Sequence, residues 1–419
     1  MKHQFTFLLT ATLFFSVFLN SCGETNLQKA NKTGTTAASD VENNVKVPDL
    51  LDRGEKIQLG KEWDFVQNFY SDKKSQLAKN ENDGEAYLQL AELFIKEARI
   101  TGEHGHYYPA ALRMTDMAVK NKEANPDLKF RALMTKAGVQ LSLHEFSDAL
   151  KTAQEAVKMN PNNAQIYGVL VDCYVELGEY DKAIAMADKM IAIKPDIRSY
   201  SRISYLREIH GDVDGSKKAL GLAINAGFPG YEETAWAMLT LGELYERYGA
   251  LDTAKQIYTE ILDMRENYPF AISALGGIAY KEGNLKEAEK IQNQAIDIIP
   301  EVGYYTALAK IYKDEKRTEE LDQLMSEIFV MLQEDVDSGH NMNLEYADIY
   351  LNILNEPEKS LKYALLEYDK RPLNIDVNRM LAQIYVTQGK NDLAKEHLQK
   401  ASATKSIHPD LAELKKEIK

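Results

Sequence analysis

An all-α fold, built as a row of helical hairpins, is what the sequence predicts, and three observations carry it. Tyr167, Leu170, Val171 and Tyr174 fall at i, i+3, i+4 and i+7, which is the apolar face of one helix. Gly178 then offers a position that tolerates positive φ. Ala183, Ala187 and Met190 mark the inner face of a second helix before Pro195 closes the unit. The unit also returns at a fixed spacing. Ala149 and Ala183, Ala254 and Ala288, Ser360 and Ala394, and Pro161 and Pro195 are each 34 residues apart. No segment with the two-residue period of a strand interrupts the pattern.

The chain begins outside that pattern. Lys2 precedes an apolar run from Phe5 to Leu19, too short for a spanning helix and suited to the apolar part of a secretion signal. The run ends in Leu19-Asn20-Ser21-Cys22, which is similar to the lipobox of bacterial lipoproteins. That resemblance implies a signal peptide over 1–21 and a lipidated first residue at Cys22. Residues 22–47 are rich in Asn, Thr, Ala, Lys and Glu and nearly free of large apolar side chains. They are expected to form a tether with a mean reach of about 25–30 Å. The second of the two cysteines, Cys173, falls inside a helical pattern beside Tyr174 and is expected as a small packed residue.

From Pro48 the composition turns globular. Trp63, Val66, Phe69, Tyr70 and Leu77 predict capping helices over 48–83, because an end unit needs one face for packing and one for water. Nine helical pairs then fill 84–403. The pairs around Leu133, Tyr167, Tyr245 and Leu275 match the pattern by themselves, and the others follow by register. The first pair is expected to carry an inserted turn around Thr101 to Pro109. Loops are expected at Ala226 to Gly230 and at Asp337 to Asn341, and the turn of the seventh pair lacks glycine. Asp181 is expected to cap the second helix of the third pair. A charged helix in 404–419 is expected to close the array. Each repeat is expected to pack on its neighbours alone, which makes the array elongated.

The order of aromatic, Leu, small residue and Tyr, followed by Gly, Ala and a final Pro, resembles the tetratricopeptide repeat (TPR), whose period is about 34 residues. The resemblance implies a right-handed superhelical solenoid that binds its ligand on the concave face lined by the first helix of each pair. Carried onto this sequence, it marks Arg198, Tyr205, Trp236, Glu243, Phe270, Tyr280 and Lys281 in repeats four to six as partner-binding residues. Aromatic and Arg side chains are typical anchors of interfaces. The Lys and Asn set with which chaperone-binding TPR domains clamp a peptide carboxylate is not found here.

Charge and motifs narrow the function. Fifty basic and 64 acidic residues give a net charge of −14, which argues against nucleic acid and against electrostatic docking on anionic lipid. There is no phosphate-binding glycine loop, no nucleophile elbow and no Cys–His arrangement, so no catalytic residue and no cofactor is expected. Glu103-His104-Gly105-His106 is the one pattern that could begin a metal site, and it lacks a third ligand. His144 and His210 read as surface residues of turns. The leading expectation is a lipid-anchored scaffold of the bacterial outer membrane that binds a protein or peptide. Two alternatives stand beside it: a glycan-binding lipoprotein resembling the SusD family, and a metal-dependent enzyme using His104 and His106.

Overall fold

The computed structural model describes residues 47–58, 60–121 and 124–418. Cys22 and the expected signal and tether lie outside the described residues. Within these bounds the chain is helical throughout, with no strand. A first helix, α1 (Gly60–Lys79), precedes nine hairpins. The first three are α2 (Gly84–Thr101) with α3 (His104–Lys120), α4 (Pro126–Ser142) with α5 (Phe146–Met159), and α6 (Ala164–Glu176) with α7 (Tyr180–Ile193). The next three are α8 (Ile197–Ile209) with α9 (Val213–Ala226), α10 (Glu232–Arg247) with α11 (Leu251–Met264), and α12 (Pro269–Lys281) with α13 (Leu285–Ile296). The seventh pairs α14 (Val302–Glu315) with α15 (Thr318–Asp337). In the eighth, α16 (Asn343–Asp348) runs on as a π-helical turn, Ile349–Ile353, before α17 (Pro357–Lys370). The ninth is α18 (Ile375–Thr387) with α19 (Asn391–Ala401), and α20 (Pro409–Glu417) ends the array.

The two helices of a hairpin start differently, and the sequence explains why. Asp83, Asn125, Asn163, Asp196 and Asn374 precede first helices, and each side chain accepts a bond from a free backbone N–H of the first turn. Second helices follow a tight turn instead, with α9 adding a side-chain cap in which Asp212 accepts from the Gly215 N–H. In repeat three Gly178 sits at φ +77°, and the Glu179 N–H donates to Tyr174 O at 2.7 Å. That bond satisfies a carbonyl the ended helix leaves open. Glu179 makes no side-chain cap, and Asp181 lies inside the first turn of α7, so the expected Asp181 cap is corrected. Lys316 fills the same place in repeat seven at φ +60°, which a non-glycine residue adopts at a cost of about 1–2 kcal/mol.

The extra residues of repeats one and seven lengthen helices. The expected turn at 101–109 is mostly α3, which starts at His104, whereas the expected loop at 337–341 begins at the last residue of α15, Asp337, and forms most of the link to α16. Small residues sit where paired helices cross. Ala149, Ala183, Ala254, Ala288 and Ala394 are fully buried at the repeat spacing. Ser360 takes the same place in repeat eight and satisfies its hydroxyl by donating to Ala347 O at 2.7 Å. The N-terminal cap is α1 together with residues 47–58, which strap across repeat one. Arg53 is buried in a bidentate bond to Glu97 (2.8 and 2.7 Å) and stacks 5.0 Å from the Trp63 ring.

One expectation fails outright: the array is not elongated. The superhelix returns on itself, and the hairpin turns of repeats one to four support the loops that link repeats seven, eight and nine and α20. The His104 and His340 rings stack at 5.6 Å, and the Asn341 N–H donates to Leu143 O at 3.2 Å. Asn374 Nδ2 donates to Glu176 O at 3.0 Å, and the Ile375 N–H donates to Tyr180 Oη at 2.9 Å. Arg371 ion-pairs with Glu176 while its guanidinium lies 4.7 Å from the Phe146 ring. His144, expected at the surface, is held in this seam with Nδ1 2.9 Å from Asn341 O.

Candidate functional site on the inner face of repeats four to six

First helices of successive repeats pack on one another, α8 on α10, α10 on α12 and α12 on α14. They therefore line the crowded, concave side of the curve. Every residue marked by the sequence in this region lies on these helices, half-buried along that side. The structure brings them together as a ladder that runs from repeat to repeat. Trp236 meets Phe270 edge to face at 5.5 Å, and Phe270 meets Tyr304 of the next repeat at 6.2 Å. Arg198 pairs with Glu233 at 2.7 Å. Lys281 pairs with Glu246 at 2.9 Å, and the Tyr280 hydroxyl donates to Asp314 at 2.5 Å.

The ladder also uses residues that the sequence did not single out. Arg247 ion-pairs with Glu208, and Tyr258 Oη donates to Glu246 at 2.7 Å. Arg202 holds the buried Asp172 through two bonds, 2.9 and 2.6 Å. For Arg202, Glu208 and Arg247 the signal was the same inner-face spacing that marked Glu243, read with a partner one repeat away; Tyr258 lies on α11, outside that spacing. Glu243 stands apart. Burial pushes its carboxyl up to about 7, the carboxylates of Glu246 and Glu208 add to the rise, and Arg247 opposes it. Burial also holds the Tyr205 phenol well above its ordinary range. Such a face can stack on apolar groups and exchange hydrogen bonds, with Glu243 able to donate or accept near neutral pH.

The metal alternative does not survive the geometry. His104 and His106 belong to the first turn of α3 and serve different contacts. His104 is buried, with its ring 4.8 Å from Tyr108 and 5.6 Å from His340. His106 Nε2 lies 2.7 Å from Asp49 O in the N-terminal strap. Among the described residues no group of three or more His, Cys, Asp or Glu is placed to hold a metal ion. Cys173 is fully buried, and burial holds its thiol well above the usual range, as suits a packed apolar residue.

The fold and this face define a helical-repeat scaffold. Residues 140–207, 271–302 and 377–405 match sequence profiles of the tetratricopeptide repeat, so the array carries tetratricopeptide repeats in these stretches. It is 21% identical over 183 residues to the cellulose synthase operon protein C of Pseudomonas fluorescens, covering 42% of this chain and 14% of that protein. It is 29% identical over 114 residues to the tetratricopeptide repeat and J domain-containing co-chaperone DNJ1 of Fusarium oxysporum, covering 27% and 22%. The chain thus spans less than a quarter of the length of either relative. Similar solved structures include the APC/C hetero-tetramer Cut9–Hcn1, with a TM-score of 0.42 and 13% identity over 80% of this chain and 59% of that one. The type IV pilus biogenesis factor PilW has a TM-score of 0.40 and 17% identity over 48% and 91%.

Proposed function

We propose that this protein is a lipid-anchored scaffold of the bacterial cell envelope, held at the outer membrane through Cys22, that grips a protein or peptide on the inner face of repeats four to six. The anchor rests on the Leu19-Asn20-Ser21-Cys22 pattern after its apolar run. The binding face rests on one observation, the half-buried rings of Trp236 and Phe270 that meet edge to face on the inner side, with Glu243 half-buried two turns further along α10. Aromatic rings offer apolar area with little side-chain entropy to lose on binding. Glu243 and the net charge of −14 favour a partner segment that carries Lys or Arg. The links between successive helices are short, the longest being 402–408, which leaves little room for a SusD-like sugar site.

Two experiments test this reading. Cys22→Ala should release the protein from the membrane fraction; retention after a salt wash would place the anchor elsewhere. Trp236→Ala and Glu243→Ala should each weaken capture of the partner by crosslinking in cells, while Leu222→Ala on an exposed site of α9 should not. Capture by both inner-face variants at the parent level would move the site off this face. Removing repeat one is not a clean control, because that repeat also supports the seam.

A further inference from the structure

One ion pair joins first helices that are not neighbours. Arg99, in the last turn of α2, donates from Nη2 to Glu232 Oε2, in the first turn of α10, at 2.8 Å. A side chain of repeat one therefore rests on repeat five, 133 positions later. By contrast Arg198 with Glu233, Lys281 with Glu246 and Arg202 with Asp172 each join adjacent repeats. Glu232 is set for this contact by its surroundings. The Tyr268 hydroxyl donates to its other oxygen, Oε1, at 3.4 Å, which steadies the carboxylate. The first turn of a helix also suits an acid, because the free backbone N–H groups there carry partial positive charge.

That carboxylate is one end of the aromatic row. Glu232, Trp236 and Glu243 fall at i, i+4 and i+11 along α10, which puts them on one stripe of the helix. Trp236 meets Phe270 at 5.5 Å, and Phe270 meets Tyr268 at 5.3 Å. Tyr268 is buried and returns to Glu232 through its hydroxyl. Carboxylate and rings thus form one continuous socket. A guanidinium fits such a place, because it pairs with a carboxylate and stacks on aromatic rings with the same planar group. The chain uses that combination twice elsewhere. Arg53 bonds to Glu97 at 2.7 Å and lies 5.0 Å from the Trp63 ring, and Arg371 pairs with Glu176 and lies 4.7 Å from the Phe146 ring.

We propose that this socket receives an arginine side chain of the bound protein or peptide, and that Arg99 fills it as a stand-in until then. The inference rests on the inner-face reading given above. It adds the basic group that the partner supplies and a competitor carried by the chain itself. Arg99 is suited to yielding. The two side chains of the pair are 25% and 37% exposed, and an ion pair so open to water contributes little to holding the fold. The exchange also conserves charge: one guanidinium reaches Glu232 as the other turns to water.

The test uses the chain from residue 22 onward with Cys22→Ser, which keeps every helix of the fold and removes the lipid site. The probes are a labelled peptide, Gly-Phe-Arg-Gly-Phe-Arg-Gly, and the same peptide with Glu in place of each Arg, followed by fluorescence anisotropy. The Arg peptide should bind Arg99→Ala about two- to fivefold more tightly than the parent, the range that one exposed pair allows. Arg99→Gln, which keeps the stem of the side chain, should show the same gain, and circular dichroism should be unchanged in both. Glu232→Gln should weaken the Arg peptide, and adding Arg99→Ala to it should bring no gain. The Glu peptide should bind to none of these chains. Weaker binding in Trp236→Ala with no gain in Arg99→Ala or Arg99→Gln would overturn the stand-in and leave the inner face in place. Binding by Trp236→Ala at the parent level would overturn the inner-face reading and this inference with it. Equal binding of the two peptides, or no binding of the Arg peptide by Arg99→Ala, would overturn the arginine socket.

Discussion

The seam between coils predicts a difference between two substitutions that a simple solenoid would treat alike. Gly178 and Gly283 hold the same place in their hairpin turns, at φ +77° and +81°. Replacing either with Ala puts a side chain into the left-handed region, at about 1–2 kcal/mol. A less flexible unfolded chain offsets about 0.4–1 kcal/mol of that in both cases. Here the likeness ends. The new Cβ at 283 meets open space, whereas at 178 it falls 2.5 Å from the backbone of Leu373, which has to move. Overpacking of that kind costs about 1–3 kcal/mol. Gly178→Ala should therefore be less stable than Gly283→Ala by about 1–3 kcal/mol in urea unfolding at matched concentration. Hydrogen exchange gives a local reading. The Ile375 amide, bonded to Tyr180 across the seam, should exchange faster in Gly178→Ala and unchanged in Gly283→Ala. Equal stability losses with unchanged exchange would show that the coils do not touch.

Three further outcomes follow from the packing. Arg202→Ala leaves Asp172 buried without its cation and should cost about 3–5 kcal/mol in denaturant unfolding, while Arg202→Ala with Asp172→Ala should recover part of it. Ala183→Phe fills a fully buried helix crossing and should cost about 1–3 kcal/mol; an unchanged melting curve would refute the assigned register. Stability should also fall as pH rises from 7 to 8.5. Burial pushes the carboxyls of Glu243, Asp335 and Glu345 up to about 7. Between the ordinary carboxylate range near 4 and pH 7, the folded chain keeps protons that the unfolded chain has released, so stability is lost as pH rises through that window. His340, pushed down to about 3 by burial, acts in the opposite sense, and its contribution is lost as pH falls from 6.5 towards 3. His104, His144, His397 and His408 are also pushed down by burial and act with His340 until the unfolded histidines lose their protons just above pH 7, where the raised carboxyls, Glu301 among them, prevail. Melting temperatures that rise from pH 7 to 8.5 would contradict this, and Glu243→Gln with Asp335→Asn and Glu345→Gln should flatten the fall.

Much of the candidate site was legible before the structure. The spacing of Tyr167, Leu170, Val171 and Tyr174 placed the first helix of a repeat, and from that register Trp236, Glu243, Phe270 and Tyr280 fell on the inner face. What spacing could not supply was the partner of each side chain. Arg198 and Lys281 read as free anchors, yet they neutralise Glu233 and Glu246 of neighbouring repeats. An ion pair 35 residues apart depends on how far one helix slides along the next, and that distance is set by the side chains packed between them.

Local order decided the rest of what the sequence could say. Helix periodicity, Asn and Asp caps, a left-handed residue at each turn and a small residue at each crossing are properties of a few neighbouring residues. They sufficed for the all-α class, the nine hairpins and the two caps. The return of the superhelix on itself was decided by tertiary structure alone. It depends on a small rotation and rise per repeat, summed over several repeats, so no short segment encodes it. Nothing in the pattern around His104, His144, Gly178 or Arg371 announces that these residues meet a coil more than a hundred positions away. The seam turned His104 from a candidate ligand into a stacked core residue, and His144 from a surface residue into a half-buried contact.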